Sequence, residues 1–184
     1  MSVKKINPPL KFSANAHVKN MDQYKKEVLY TTSIHLDARD ISKTKNIDGL
    51  IKHKLKKYNE KSCNKYGYVI KDSIQIKGRS IGKIVNHNAS MIEYNITLKV
   101  DVIYPCEKDI FTVTIDNITK MGIIGYLSDE DFTIESSPIL FIVPTEYIED
   151  IELVKKDMNI QVEVLQSRIK YKSKQIQVVG KLVK

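Results

Sequence analysis

The stretch Arg168-Ile169-Lys170-Tyr171-Lys172-Ser173-Lys174 places four cations around one aromatic ring within a single short run. Cations neutralise phosphates and release their counterions, and a tyrosine ring gives a base a face to stack on, so this grouping suits single-stranded nucleic acid. A solvated hairpin is the alternative reading of the same residues. The other reactive side chains are scattered. His17, His35, His53 and His87 are isolated from one another, with His35 alternating onto a strand face and His53 on the basic side of a helix, so they read as surface or satisfied histidines. Cys63 and Cys106 are far apart, with no CxxC and no nearby His pair, which suggests neither a disulfide framework nor a zinc site and fits a reducing compartment. Ser128-Asp129-Glu130-Asp131 lacks the glycine and terminal glutamate of an EF-hand loop and reads as a solvated turn. No P-loop, GxSxG, HExxH or GxGxxG motif is present, and Gly78 and Gly82 fit none of them. The expectation is a chain with no catalytic residues, no metal and no cofactor.

The chain that must position these groups has 184 residues, 42% apolar and 28% charged, with 30 Lys plus Arg against 22 Asp plus Glu and a net charge of +8. Such a composition excludes disorder throughout and leaves room for one ordinary domain or two small ones. No window approaches ~20 uncharged apolar residues, and MSVKKINPPLKF lacks the apolar centre of a secretory signal, so a soluble intracellular protein is expected. The charge is unevenly spread. Residues 1–27 carry six lysines against two acids, residues 28–108 fifteen cations against eight acids, and residues 109–184 nine cations against twelve acids. No Lys or Arg lies between Asp129 and Glu152, so the second half has a negative side that an RNA path must avoid.

Residues 1–27, with Pro8 and Pro9 and no sustained period, read as a flexible basic arm, either a solubilising tail or a docking arm. From Val28, alternation through Tyr30, Thr32, Ile34 and Leu36 predicts a strand ending at Asp37. Ile47, Leu50, Ile51, Leu55 and Tyr58 then fall on one face of a helix whose lysines concentrate toward its C-terminal end. Further strands are expected at Tyr66–Ile70 and Ser73–Ile76, an exposed loop at Lys77–Lys83, and a long strand in which Ile92, Tyr94, Ile96, Leu98, Val100, Val102 and Tyr104 share a buried face before Pro105. Residues 28–108 thus form a small α+β domain, one helix on an antiparallel sheet. Beyond it, Phe111–Ile115, Gly122–Leu127, Ile139–Val143, Ile160–Val164 and Ile176–Leu182 give five short strands, with one helical turn near Glu146–Glu149. Their count and spacing predict a five-stranded OB-fold barrel over residues 109–184, with Arg168–Lys174 in the loop between its last two strands.

This order of parts resembles the stalk subunit of multisubunit DNA-dependent RNA polymerases, the family of the seventh subunit of RNA polymerase II and its archaeal counterpart. The matching segments are Ser62-Cys63-Asn64-Lys65-Tyr66-Gly67-Tyr68-Val69-Ile70, Gly82-Lys83-Ile84-Val85, the connecting strand Tyr94–Pro105 and Thr119-Lys120-Met121-Gly122. The resemblance runs over roughly Val28 to Leu182. It implies a non-catalytic accessory subunit whose tip, at Gly78, Arg79, Gly82 and Lys83, plugs into the polymerase core. It also implies a helical partner resembling the fourth subunit, met by Tyr66, Gly67 and Tyr68, and nascent single-stranded RNA, met by Lys120, Arg168, Lys170, Tyr171, Lys172 and Lys174. Localisation would be nuclear if the protein is cellular, and a cytoplasmic factory or virion if viral; the Lys/Ile-rich composition and added arm suggest a divergent member from a large DNA virus. The chain departs from the family in having Cys106, Glu107 and Lys108 after the Pro, which bears on the angle between domains. It also has Ile123 after the hairpin glycine, which weakens base stacking on that strand. A free-standing OB-fold RNA-binding factor of translation or RNA processing is the competing expectation.

Overall fold

The computed structural model describes residues 24–85, 88–129, 131–148 and 153–183. Strand β1 (Lys25–Asp37) leads through a short helix α1 (Ala38–Ser42) to helix α2 (Ile47–Asn59), then to β2 (Cys63–Asn64), β3 (Gly67–Val69), β4 (Gln75–Arg79), β5 (Lys83–Val85) and β6 (Asn88–Ile103). The last of these is the hub: β1, β3, β4 and β5 all pair antiparallel with it. Its alternation explains why. Tyr94, Ile96, Leu98, Val100 and Val102 are all buried on one face, against Ile51 and Leu55 of α2 and Ile34 and Leu36 of β1. The helix is started by Asn46, whose side chain accepts the Gly49 N–H at 2.8 Å, and finished with Lys56 and Lys57 beside the negative end of its dipole.

The second half closes into a barrel. Strands β7 (Ile110–Thr119), β8 (Gly122–Leu127), β9 (Ile139–Pro144), β10 (Asn159–Arg168) and β11 (Ile176–Leu182) run in the order β7-β8-β9-β11-β10 and return to β7, with β9 and β11 parallel. Closure leaves no free edge, and the result is a closed five-stranded barrel of the expected strand count, consistent with an OB-like fold. Inward positions fill it, Phe111 and Phe141 meeting at 5.5 Å between ring centroids. The β7–β8 hairpin needs its glycine: Gly122 has φ +137°, and a Cβ there would lie 2.0 Å from the Val143 carbonyl oxygen.

Several expectations are corrected. Strand β1 starts at Lys25, so Lys25–Glu27 belong to the sheet, while the rest of the expected arm, through residue 23, lies outside the described residues. Helix α1 has no apolar period to announce it. It forms because the Asp37 carboxylate accepts the Arg39 N–H at 2.8 Å, a bond that holds this carboxyl below the usual range. The expected Lys77–Lys83 loop shrinks to residues 80–82, because β4 continues through Gly78 and Arg79 across a bulge and β5 begins at Lys83. The third strand accordingly lies later than Ser73–Ile76. Tyr58 is 55% exposed although it falls on the apolar helix face, one turn after the buried Leu55. The brief turn after β9 is 3-10 at Thr145–Tyr147.

The alternation of β6 fails at its end. Tyr104 is 39% exposed and Ile103 fully buried, the reverse of the period, because Ile103 leaves the sheet core and joins the barrel core together with Cys63 and Tyr68. Tyr24 completes this joint: its ring stacks on Phe111 at 4.0 Å and its hydroxyl donates to the Ile110 carbonyl at 2.9 Å. Burial, and secondarily Asp109, push its pKa up to about 12.

Candidate nucleic-acid interface

The loop joining β10 to β11 folds back onto β2 of the sheet. The Lys172 N–H donates to the Cys63 carbonyl at 2.7 Å and the Cys63 N–H donates to the Ser173 carbonyl at 2.8 Å, so β2 gains a partner from the far end of the chain. Two local features make this possible. Lys172 adopts φ +60°, and the Ser173 N–H donates to the Lys170 carbonyl at 3.0 Å, which together form the turn that presents the backbone to Cys63. With its backbone held, the loop sends Lys170, Lys172 and Lys174 outward; Arg168, expected in the loop, is instead the last residue of β10, paired with Gln177, and is exposed beside them, while Tyr171 is 70% exposed. The backbone of the loop is therefore anchored to β2, while its charged heads remain in water.

Where the loop meets β2, a groove of about 400 Å³ opens between the sheet and the barrel, lined by Asn64, Lys65, Tyr104, Ser167, Ile169 and Tyr171. Among the described residues, no carboxylate lines it. Three lysines stand over tyrosine rings at this joint: Lys65 over Tyr66 at 4.9 Å, Lys26 over Tyr104 at 5.5 Å and Lys172 over Tyr171 at 5.7 Å. Each such pair gains modestly from the ring quadrupole at an exposed position. Behind them Tyr30 packs on Tyr66, centroids 5.0 Å apart, with its hydroxyl accepting from the Asn64 side-chain amide at 3.5 Å; burial raises the Tyr30 pKa, keeping it neutral. The result is a concavity lined by one lysine and two exposed tyrosines, Tyr104 and Tyr171, each of which carries a further lysine over its ring. Chemically it can hold phosphates and flat rings together.

No family model and no curated protein matches this chain.

The remaining candidate residues divide. Lys120 is exposed in the β7–β8 turn, but pairing of Gly122 with Pro144 and of Ile176 with Ile139 puts that turn and the Arg168–Lys174 loop at opposite ends of β9, roughly 17 Å apart along the strand. Tyr66 is partly exposed beside the groove, whereas Gly67 and Tyr68 are buried within the chain's own joint and present little surface to a partner. At the tip, Arg79 is bound within the chain, its Nε 2.7 Å from Asp48 and its guanidinium 5.5 Å from the Tyr94 ring. Gly78 pairs with Thr97 just after the β4 bulge at Lys77, and Gly82 passes so close to Ile92 and Tyr94 that a Cβ would sit 2.6 Å from the Ile92 side chain. Lys83 stays exposed. Sequence reasoning gave no site role to Ile81 or Ile84, 82% and 68% exposed around this tip, because neither belongs to any period. It likewise passed over Lys26, Lys65 and Tyr104, which become neighbours of the loop only through the fold. His35 faces Glu93 at 3.7 Å from an exposed strand position, and His53 is exposed on α2.

Proposed function

We propose that this chain is a non-catalytic stalk subunit of a DNA-dependent RNA polymerase, with its α+β sheet domain as the tip and its barrel as an OB-fold held toward emerging transcript. The observation that carries this reading is the anchored Arg168–Lys174 segment, which turns four cations and one tyrosine outward from the joint between a β6-centred sheet domain and a five-stranded barrel. Loops of this position in OB-folds contact single strands, and the charge and ring supply sequence-independent binding. The exposed Ile81 and Ile84, beside Lys83, support docking of the tip into a groove of the core subunits. Tyr66 supports contact with a helical partner like the fourth subunit. Assembly and clamp positioning during initiation would be the work of such a subunit, and its location would follow the polymerase, in a nucleus or a viral factory.

Affinity purification of the tagged chain at moderate salt, with the co-eluting proteins identified by mass spectrometry, tests the assignment. Recovery of the large polymerase subunits in fixed ratio is the expected result. Elution as a monomer free of them would refute it and favour a free-standing RNA-binding factor, a reading for which the groove at the joint would suffice without any core enzyme.

A further inference from the structure

We propose that the RNA site of this chain is not the barrel loop alone but a composite groove built by both domains, in which Lys65 and Tyr104 of the sheet domain and Tyr171 of the barrel receive single-stranded RNA. This rests on the reading of the chain as an RNA-contacting subunit and adds to it where the strand lies. The argument is geometric. The groove walls come from both halves, Asn64, Lys65 and Tyr104 on one side and Ser167, Ile169 and Tyr171 on the other. The two backbone hydrogen bonds between Cys63 and residues 172–173 fix the walls relative to each other, so the concavity is built before any ligand arrives. Ser167 adds a third tie, its hydroxyl donating to the Pro105 carbonyl at 3.1 Å.

The lining chemistry selects the ligand. Lys65 lines the groove, Lys26 and Lys172 stand over the Tyr104 and Tyr171 rings that line it, and no acid among the described residues does so, so a polyanion meets no repulsion from its walls. Tyr104 and Tyr171 are exposed and line the same concavity, each with a lysine over one side of its ring, so that an unpaired base stacking on the ring would have a cation beside it for its phosphate. A duplex would offer phosphates but no exposed base faces. An acidic peptide would satisfy the lysines and leave the rings bare. Asp129, Asp131, Glu135 and Glu146 lie in the segments before and after β9, outside the groove, and their charge favours a strand that runs toward the sheet domain instead of over the barrel.

The test measures binding of a fluorescent twelve-nucleotide oligo(U), carrying one 2-aminopurine, to the full chain by anisotropy and by base fluorescence. Lys65→Gln is an exposed change that leaves the fold alone; it is expected to weaken binding and to lower the slope of log K against log salt by about 0.7. Tyr104→Leu keeps bulk at the joint and removes the stacking face; it should weaken binding by about 5- to 150-fold and release part of the 2-aminopurine quenching. Changing Arg168, Lys170, Lys172 and Lys174 together to Gln reports on the loop by itself. If that quadruple variant loses affinity while Lys65→Gln and Tyr104→Leu bind within about twofold of wild type with unchanged quenching, the composite groove is refuted and loop contact stands. Absence of oligo(U) binding by the wild-type chain at low salt overturns both. Competition by a glutamate-rich peptide of equal charge as effective as unlabelled oligo(U) would also refute the site, replacing RNA by an acidic protein segment.

Discussion

Replacing Gly67 by Ala isolates what holds the joint together. Gly67 opens β3 with φ +133°, a conformation that L-residues rarely adopt, and a Cβ there would stand 2.4 Å from the Ile103 carbonyl oxygen. That oxygen belongs to the end of β6 and cannot swing aside like a side chain. The substitution therefore costs backbone strain of about 1–3 kcal/mol, and the clash forces β3 away from β6 at the Tyr68–Ile103 pair, weakening a ladder bond worth about 1 kcal/mol. A total near 3 kcal/mol, with a urea slope of about 2–3 kcal/mol per molar, moves the midpoint down by about 1–1.5 M. Cys63 supplies a second readout. It pairs with Tyr68 across β2–β3 and is buried, with its pKa raised by that burial, so it should react slowly with a thiol reagent in the wild-type chain and faster in Gly67→Ala. A midpoint within about 0.3 M of wild type, with Cys63 still protected, would refute the claim that the β3–β6 contact fixes the joint.

Phe141→Ala removes a fully buried ring from the barrel and should cost about 3–5 kcal/mol, read calorimetrically as a melting temperature lower by about 6–20 °C; a drop below about 3 °C would mean the barrel core is not packed as described. Alkaline pH should act on Tyr24. Its folded pKa, pushed up to about 12 from an ordinary value near 10, means the unfolded chain loses that proton first, so the stability tied to neutral Tyr24 is intact below pH ~10 and lost as pH rises toward 12. Urea midpoints measured over that window should fall less steeply for Tyr24→Phe than for wild type, and equal slopes would show that Tyr24 is not buried at the joint.

Much of the fold was legible because it follows from period. Tyr94 through Val102 alternate over nine residues and are buried as the alternation requires; Ile51 and Leu55 sit where a 3.6-residue repeat puts them; and the five barrel strands fall where short apolar alternations were interrupted by turn residues. Illegible features depend on contacts between distant residues. Nothing in the spacing of Arg168–Lys174 tells that its backbone will bond to Cys63, more than one hundred positions earlier, so the loop could be picked out for its charge but not located against Lys65 and Tyr104. Period also misleads where one strand serves two cores, as at Ile103 and Tyr104. Arg79 looked available for docking because its ion-pair partner, Asp48, lies on a helix that the sequence places with no fixed relation to β4.

The sharing of Ile103, Tyr68 and Cys63 with the barrel core has a consequence for heredity. An exchange of residues 109–184 with the barrel of another protein would carry away Phe111 and Phe141 but leave behind Cys63, Tyr68 and Ile103, which are buried in the same core, together with the Tyr24 ring stacked on Phe111. The barrel is thus not a portable cassette. Substitutions at Phe111 should be tolerated only alongside compensating ones at Tyr24, Tyr68 or Ile103, so that the two halves are constrained to change as a pair.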